Sequence, residues 1–529
     1  MDEYKKIIET TASAILNLLA KTFPVACSSD EFYYFPHITT DQPPEIPWDD
    51  FSPESINTVL QSLTIASSDL ENLEIPSQER DVQTDRNVLV HFLQTLQDYL
   101  KNHLVWKRQP SFYLTIMNIG IVNSIHSGDQ EVISRRMKML PGFLEQGVKN
   151  LEDIPAPWME IGLSMIADCK ELIISLPGKL PGTESSLKAI DHLGSVIEKR
   201  VASEAYSMPE ELLKKIYSRH LATGLTLSEI TAAIRDEIDE MWEIMVGEAG
   251  RILKEPITLS HHPGRLIELV YQRLQSPERS QDHLLLLFED EINKISDHLI
   301  NAGILTGELR RMCPVFVRKM PDYIRAIRSA SSYSIDPQHP PQGGTFFVLS
   351  HAARGILADH MTEYRMLAAH ETYPGHHLLD SLRLSLDNII RRSLEFPAFY
   401  EGWACFAEML LEVTGYFSRP ADRFILAKRR FWRAVRGQVD VGLQTGKMDF
   451  DEAARILQGA GIGQDRALQS AKIYTLNPGY QVCYTTGIRR FLDLFNRYGE
   501  KDAVHFVKTV LSEGEILFGD LERRLAGIV

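Results

Sequence analysis

Four residues in the C-terminal half of the chain have the types and the spacing of a catalytic metal site. His370 and Glu371 are followed by His376, and a further carboxylate, Glu401, lies roughly one helix downstream. Two histidines and a carboxylate are the protein ligands of many catalytic zinc sites, in which one position stays open for water. The sequence therefore predicts a metal-dependent hydrolase with one zinc ion per chain, although this ligand set also accepts other divalent ions.

The spacing of the histidines requires a break in the helix that carries them. The usual motif places two histidines four residues apart on one helix face, but here Pro374 takes the fourth position. In a regular helix His376 and His377 would lie about 9 Å and about 10.5 Å along the axis from His370. Pro374 and Gly375 can interrupt the helix, because proline lacks a backbone donor and glycine tolerates a tight turn. Either His376 or His377 then reaches the metal, and the sequence leaves that choice open.

Two longer motifs contain these residues. They read His370-Glu371-x-x-Pro374-Gly375-His376-His377 and Glu401-Gly402-Trp403-Ala404-x-x-Ala407-Glu408. In this order and spacing they resemble the domain-of-unknown-function 885 family, which is regarded as a distant relative of the gluzincin metallopeptidases. Two further stretches agree with the resemblance, namely Asp440-Val441-Gly442-Leu443, and Pro478-Gly479-Tyr480 leading into Tyr484 and Gly487. The resemblance covers the chain from about Tyr333 to the C-terminus.

The neighbours of the ligands have expected roles. Glu371 follows the first ligand directly and is the predicted general base, which takes a proton from the attacking water. Glu408 lies on the same helix face as Glu401 and is the predicted hydrogen-bond acceptor for a ligand histidine. A donor for the oxyanion is also needed. Tyr484 and Tyr480 are the candidates, and the family pattern favours Tyr484.

Basic residues near the motifs are candidates for binding the substrate. Arg433, Arg436 and Arg489 are each able to receive a substrate carboxylate, because a guanidinium fork matches its geometry. The leading expectation is hydrolysis of an amide bond in a small peptide or an amino-acid conjugate.

The outer positions of the pattern depart from the family. The family usually has His where Gln444 stands, Glu and Arg where Ser470-Ala471-Lys472-Ile473-Tyr474 stands, and Phe-His-Asp where Phe506-Val507-Lys508 stands. These departures support an alternative, a zinc enzyme that acts on a specialised small molecule by hydrolysis, elimination or cyclisation without general peptidase activity. A non-catalytic binding protein on an enzyme scaffold is the third hypothesis.

Composition narrows the class of protein. The chain has 529 residues, 44% of them hydrophobic and 24% charged, and a formal net charge of −15, which argues against a nucleic-acid partner. Five scattered cysteines without a Cys-x-x-Cys pair suit a reducing compartment. The N-terminal residues predict an amphipathic helix and not a signal peptide, and Val25-Ala26-Cys27 matches a lipoprotein cleavage site only weakly. We therefore expect a cytoplasmic protein without a membrane partner, of undetermined oligomeric state.

Helical periodicity dominates the chain and predicts a mainly α fold. Residues 1–330 are expected to form a helical N-terminal scaffold and residues 331–529 the metal-site half, or the two form one continuous domain. The exception is Gly344–Leu349, which has the composition of a strand. The resemblance implies a large gluzincin-like metallohydrolase with a deep cleft between the helical halves, and an edge strand beside the metal helix that holds the substrate backbone. The alternative for this strand is a short structural hairpin.

Overall fold

The computed structural model describes residues 2–38, 47–176, 180–275, 280–321, 330–349 and 354–527. As predicted, the fold is mainly helical. The described chain forms two compact units, of which the first contains residues up to Met208 and Asn388–Glu395, and the second contains Pro209–Met320, Ala330–Asp387 and the chain from Phe396 onward. Compact units are not by themselves domains, so the predicted division at residue 330 stays a prediction. No helix within the described ranges is long and apolar enough to cross a membrane.

The elements follow one another mostly through short connections. In chain order they are α1 (Asp2–Thr22), α2 (Pro53–Glu71), α3 (Arg80–Asp98), α4 (Val105–Arg108), α5 (Pro110–Ser127), α6 (Gln130–Asn150), α7 (Ala156–Ser175), α8 (Thr183–Lys199), α9 (Glu210–Lys215), α10 (Leu227–Leu253), α11 (Pro263–Leu274), α12 (Gln281–Asn301), α13 (Gly307–Met312), β1 (Val315–Lys319), β2 (Ser332–Ile335), β3 (Gly344–Val348), α14 (Arg354–Glu371), α15 (His376–Arg383), α16 (Ile389–Ser393), α17 (Pro397–Val413), α18 (Pro420–Gln444), α19 (Phe450–Gly459), α20 (Gln464–Tyr474), α21 (Tyr480–Tyr498), α22 (Ala503–Ser512) and α23 (Phe518–Leu525). Short π-helical turns at Tyr99–His103 and Ile216–His220 and a 3-10 turn at Ala26–Ser28 join some of them.

Helix α17 runs through the core of the second unit. Phe399, Trp403 and Phe406 are fully buried along it, and the carboxylate-bearing residues Glu401 and Glu408 are buried too. A helix that is apolar on nearly all sides belongs in an interior, and any ionised group it carries there must find partners. Burial of the apolar residues of α17 therefore also buries the carboxylates of Glu401 and Glu408, whether or not a metal is bound.

The strands form one three-stranded sheet in the second unit. Its order is β1-β3-β2, with β1 parallel and β2 antiparallel to β3. The prediction of a strand at Gly344–Leu349 is confirmed, because β3 occupies Gly344–Val348. Its predicted place at the edge of the sheet is wrong, because β3 is hydrogen-bonded on both sides and β2 lies at an edge. Strand composition alone does not determine which strand is central.

The break between α14 and α15 is confirmed. Helix α14 ends at Glu371 and α15 begins at His376, so Pro374 and Gly375 lie between the two helices. The Gly375 amide donates a hydrogen bond to the Ala369 carbonyl oxygen at 3.0 Å. A Cβ atom at Gly375 would lie 1.9 Å from the His370 carbonyl oxygen, so only glycine can pack against this helix end.

Two glycines bring α17 and α21 into close contact. A Cβ atom on Gly402 would lie 2.5 Å from the Cα atom of Gly487, and one on Gly487 would lie 2.0 Å from the Ala398 carbonyl oxygen. The backbones of the two helices therefore touch without intervening side chains. This contact places the first turns of α21 beside Glu401.

We predict that Gly402→Ala lowers the free energy of unfolding by about 1–3 kcal/mol, because the added methyl group overpacks the contact between α17 and α21. Urea denaturation measures this change. Gly247→Ala in α10 is the control, because nothing lies within 4 Å of its added Cβ atom. Alanine is the better helix former by about 1 kcal/mol, so the control should keep or gain stability. A Gly402→Ala protein as stable as the wild type would contradict the close approach of the helices.

Candidate metal centre

Three side chains from three helices meet in the core of the second unit. His370 comes from the last turn of α14, His376 from the first residue of α15 and Glu401 from the first turns of α17, and all three are buried. One possible ligand atom from each lies within 4.8 Å of the other two. Glu401 Oε2 is 3.5 Å from His370 Nε2 and 3.6 Å from His376 Nε2. The structure thus brings together the three residues predicted as ligands.

The two oxygens of the Glu401 carboxylate have different surroundings. Oε1 accepts hydrogen bonds from the hydroxyls of Tyr480 and Tyr484, both at 2.9 Å. Oε2 is buried and has no hydrogen-bond partner among the described residues. Burial would raise the pKa of this carboxyl, but the imidazoles of His370 and His376 outweigh burial and hold its pKa well below the usual range. An ionised, buried oxygen without a hydrogen bond, flanked by two imidazole nitrogens, fits a divalent cation.

His370 is oriented by the carboxylate of Glu408. Its Nδ1 atom lies 3.0 Å from Glu408 Oε1, so an Nδ1–H donates to this oxygen and Nε2 faces Glu401. Arg433 Nη2 is 3.2 Å from the same Nδ1 but donates to Glu408 Oε1 at 2.7 Å, which is the better hydrogen bond. Glu408 therefore lies where the sequence predicts it, behind the candidate ligand His370.

Glu408 belongs to a buried cluster of charges. It accepts hydrogen bonds from Arg429 and Arg433, and Arg429 also donates to Glu363 at 3.0 Å. Lys428 donates to Glu363 as well, at 2.5 Å. Burial would raise the pKa of Glu408, but Arg429 and Arg433 outweigh it and the pKa lies well below its usual value. The cluster keeps Glu408 ionised, so its carboxylate can accept the hydrogen bond from the Nδ1–H of His370.

The two adjacent histidines face different partners. The ring of His376 stacks on Tyr400 with centroids 4.1 Å apart. His377 lies outside the cluster, since its Nε2 is 3.0 Å from the Cys313 carbonyl oxygen and its Nδ1 is 3.1 Å from the Tyr333 hydroxyl. Burial lowers the pKa of His377 to about 4, so it is a neutral structural side chain. In this arrangement His376 is the metal-ligand candidate.

Glu371 is half-buried beside the cluster. Its Oε2 atom accepts a hydrogen bond of 3.0 Å from the backbone N–H of Tyr333 in the edge strand β2. Burial would lower the pKa of His376, but Glu401 and the nearby Glu371 raise it overall. The predicted general base is therefore within electrostatic reach of a ligand, and its carboxylate points toward the edge of the sheet.

Asp440 fixes the helix that carries the two tyrosines. From α18 it accepts hydrogen bonds from the backbone N–H groups of Gly479 and Gln481, at 3.0 and 3.1 Å, and from the Tyr217 hydroxyl at 3.1 Å. Burial raises the pKa of Asp440 to about 7. These bonds hold the start of α21, from which Tyr480 reaches Glu401. Sequence reasoning noted the Asp440 motif and assigned it no role.

Comparison with known proteins identifies the family. The family described as "Bacterial protein of unknown function (DUF885)" matches residues 41–525. The chain belongs to this family. No curated protein matches the chain.

Two solved structures share the fold of this DUF885 chain. A candidate lipoprotein of unknown function from Shewanella oneidensis has a TM-score of 0.75 at 15% identity, over 98% of this chain and 99% of that chain. A candidate lipoprotein from Colwellia psychrerythraea has a TM-score of 0.76 at 16% identity, over 99% of both chains. At these identities the likeness concerns the fold.

The predicted cytoplasmic location is wrong on this comparison. Both solved structures are described as candidate lipoproteins, and lipoproteins are anchored at membranes. The prediction relied on composition and on the weak match of Val25-Ala26-Cys27 to a cleavage site, and neither is a physical test of location. Cys27 itself is buried in this DUF885 fold.

Arg489, whose predicted role in substrate binding stays a prediction, and the positions that depart from the family pattern lie outside the three-residue cluster. Arg489 is paired with Glu237 at 2.9 Å and with Glu240 at 3.2 Å. Gln444 is buried and donates to the Thr475 carbonyl oxygen at 3.3 Å. At the last departure Phe506 and Val507 are buried and Lys508 is exposed. None of these departures supplies an atom to the His370, His376 and Glu401 cluster found in the described chain.

We predict that Glu408→Gln lowers the free energy of unfolding by about 3–5 kcal/mol, because it leaves two buried arginines without a full counter-charge. Glu412→Gln, four residues further along α17, is the matched control. Its side chain is 31% exposed and pairs with Arg423 at 3.4 Å, so its loss should cost about 0–1 kcal/mol. Urea unfolding of both variants measures the difference. If both variants lost the same free energy of unfolding, burial of the charge cluster around Glu408 would not explain its contribution to stability.

Proposed function

We propose that this chain is a gluzincin-like, zinc-dependent hydrolase that cleaves an amide bond in a peptide or an amino-acid conjugate. The observation that carries the proposal is Glu401 Oε2, which is buried between two imidazole nitrogens and has no hydrogen bond to any described residue. Buried polar atoms are rarely left without a hydrogen bond, and a bound cation would account for this one. The adjacent carboxylate of Glu371 adds a proton acceptor at the same place.

His370, His376 and Glu401 would hold the zinc ion. When bound, zinc supplies Lewis acidity, which activates water and polarises a carbonyl group. The protein contributes the orientation of the ligands. Glu408 holds the tautomer of His370, and the ring of Tyr400 fixes the plane of His376.

Glu371 would be the general base. Its carboxylate accepts the proton of the attacking water and passes it to the departing amine nitrogen. In the structure this carboxylate accepts one hydrogen bond, from the Tyr333 backbone, which keeps the charged form oriented at the edge of the site. A second oxygen remains to accept a proton.

Tyr484 and Tyr480 would position Glu401. Both hydroxyls donate to Glu401 Oε1, so neither is directed at a reacting group in this arrangement. Tyr484 would have to leave Glu401 before it could donate to an oxyanion. Its predicted role at the oxyanion therefore stays a prediction.

The test is Glu371→Gln in zinc-loaded protein. We expect zinc content to stay at the wild-type level, since Glu371 is not a ligand, and hydrolysis to fall about 10²- to 10⁴-fold, the usual contribution of a general base. The assay is mass-spectrometric detection of cleavage in a library of short peptides and N-acylated amino acids. Glu412→Gln is the control and should keep full activity.

Two results would contradict the proposal. Unchanged hydrolysis in Glu371→Gln would remove the assigned base. A wild-type protein that carries zinc but cleaves no member of the library would exclude amide hydrolysis and favour chemistry on a specialised small molecule.

A further inference from the structure

Helix α18 carries six basic side chains, and one of them differs from the rest. Five pair with carboxylates of the same unit, namely Arg423 with Glu412, Lys428 with Glu363, Arg429 with Glu363 and Glu408, Arg430 with Glu237, and Arg433 with Glu408. Arg436 has no carboxylate partner in the described part of the chain, and its Nε and Nη2 atoms are buried without a hydrogen bond. The guanidinium contacts the ring of Tyr484, but two buried N–H donors without a hydrogen bond are costly, so this position calls for an anion from outside the chain.

The unsatisfied atoms of Arg436 form one edge of its guanidinium. Arg429 binds both oxygens of Glu408 through this same edge, with Nε and Nη2 at 3.1 and 3.2 Å. Arg430 binds both oxygens of Glu237 in the same way, at 2.6 and 3.1 Å. Two arginines on this helix thus hold a carboxylate bidentately with the edge that Arg436 leaves open.

Arg436 lies next to the candidate metal centre. Its guanidinium carbon is 4.4 Å from the centre of the Tyr484 ring, and the hydroxyl of that ring donates to Glu401 at 2.9 Å. The acid one turn further along the helix, Asp440, is engaged by Gly479, Gln481 and Tyr217. One aromatic ring therefore separates the open guanidinium edge from the ligand carboxylate.

We propose that Arg436 binds a carboxylate of the substrate, and this inference rests on the proposed hydrolase function. The substrate class is then a peptide or amino-acid conjugate with a free carboxylate near the bond that is cleaved. Such a carboxylate accepts hydrogen bonds from Nε and Nη2 of Arg436. The position of Arg436 then determines how far the carboxylate lies from the bond that is cleaved. Arg436 thereby selects acids over the corresponding amides.

The test uses matched pairs of metal-binding probes, the monohydroxamates of succinic and glutaric acid and the same hydroxamates with the free acid replaced by an amide. Calorimetric titration of zinc-loaded wild-type protein should give an affinity for one acid about 10- to 100-fold above that for its amide, as for a hydrogen bond to a charged group. In Arg436→Gln the acid and the amide should bind within about twofold of each other. Arg436→Lys keeps the positive charge but lacks the two parallel N–H donors, so its preference for the acid should lie between those of Arg436→Gln and the wild type.

The controls separate this inference from the function on which it rests. Arg423→Gln, on the same helix, should keep the full preference for the acid. Zinc content is measured for every protein, and a wild type without zinc would overturn the hydrolase proposal and this inference together. Zinc-loaded wild type that binds acids and amides alike, or Arg436→Gln that keeps the preference, would overturn the role of Arg436 alone.

Thermal unfolding separates binding from support of the fold. Arg436→Gln removes two buried donors that have no hydrogen bond in the described chain, which offsets the loss of the contact with the Tyr484 ring, so its Tm should stay close to that of the wild type. A clear fall in Tm would mean that Arg436 stabilises the fold and would contradict its assignment to the substrate.

Discussion

The carboxylate of Glu401 is the constraint on which the site depends. One oxygen accepts hydrogen bonds from the hydroxyls of Tyr480 and Tyr484, and the other is buried between His370 and His376, with no hydrogen bond from the part of the chain that the structure describes. A core normally satisfies such an oxygen, because burying an unpaired ionised group costs several kcal/mol. A cation bound between Glu401, His370 and His376 would satisfy this oxygen. The same carboxylate then links α14, α15, α17 and α21.

The surrounding fold maintains this geometry by two physical means. Gly375 packs directly against the end of α14, and Gly402 lets α17 approach α21, with no side chain between the backbones in either contact. Buried ion pairs then fix the directions of the polar groups. Glu408 orients His370 while Arg429 and Arg433 keep Glu408 charged, so the candidate ligand His370 is held in place by a network of buried side chains.

The sequence predicted the ligands because chelation imposes local rules. His370, a second histidine and Glu401 follow as candidates from residue type, from the break at Pro374 and Gly375, and from one helix of separation. The sequence could not choose between His376 and His377, since the choice depends on how the chain packs after the break. The pairing of Arg489 with Glu237 and the hydrogen bonds of Asp440 join residues far apart in the chain, and no local pattern reports them. For the same reason strand composition located β3 but not its central place in the sheet.

The most direct measurement of the central claim is the zinc content of purified protein after exposure to zinc and removal of the excess. The account predicts about one zinc ion per wild-type chain, as for a single site with three protein ligands. His370→Ala, His376→Ala and Glu401→Ala should lose the metal. His377→Gln should keep the zinc ion, because the ring nitrogens of His377 are in hydrogen-bond contact with the Cys313 carbonyl oxygen and the Tyr333 hydroxyl and not with the cluster. Wild-type protein without zinc, or loss of zinc in His377→Gln with retention in His376→Ala, would contradict the account.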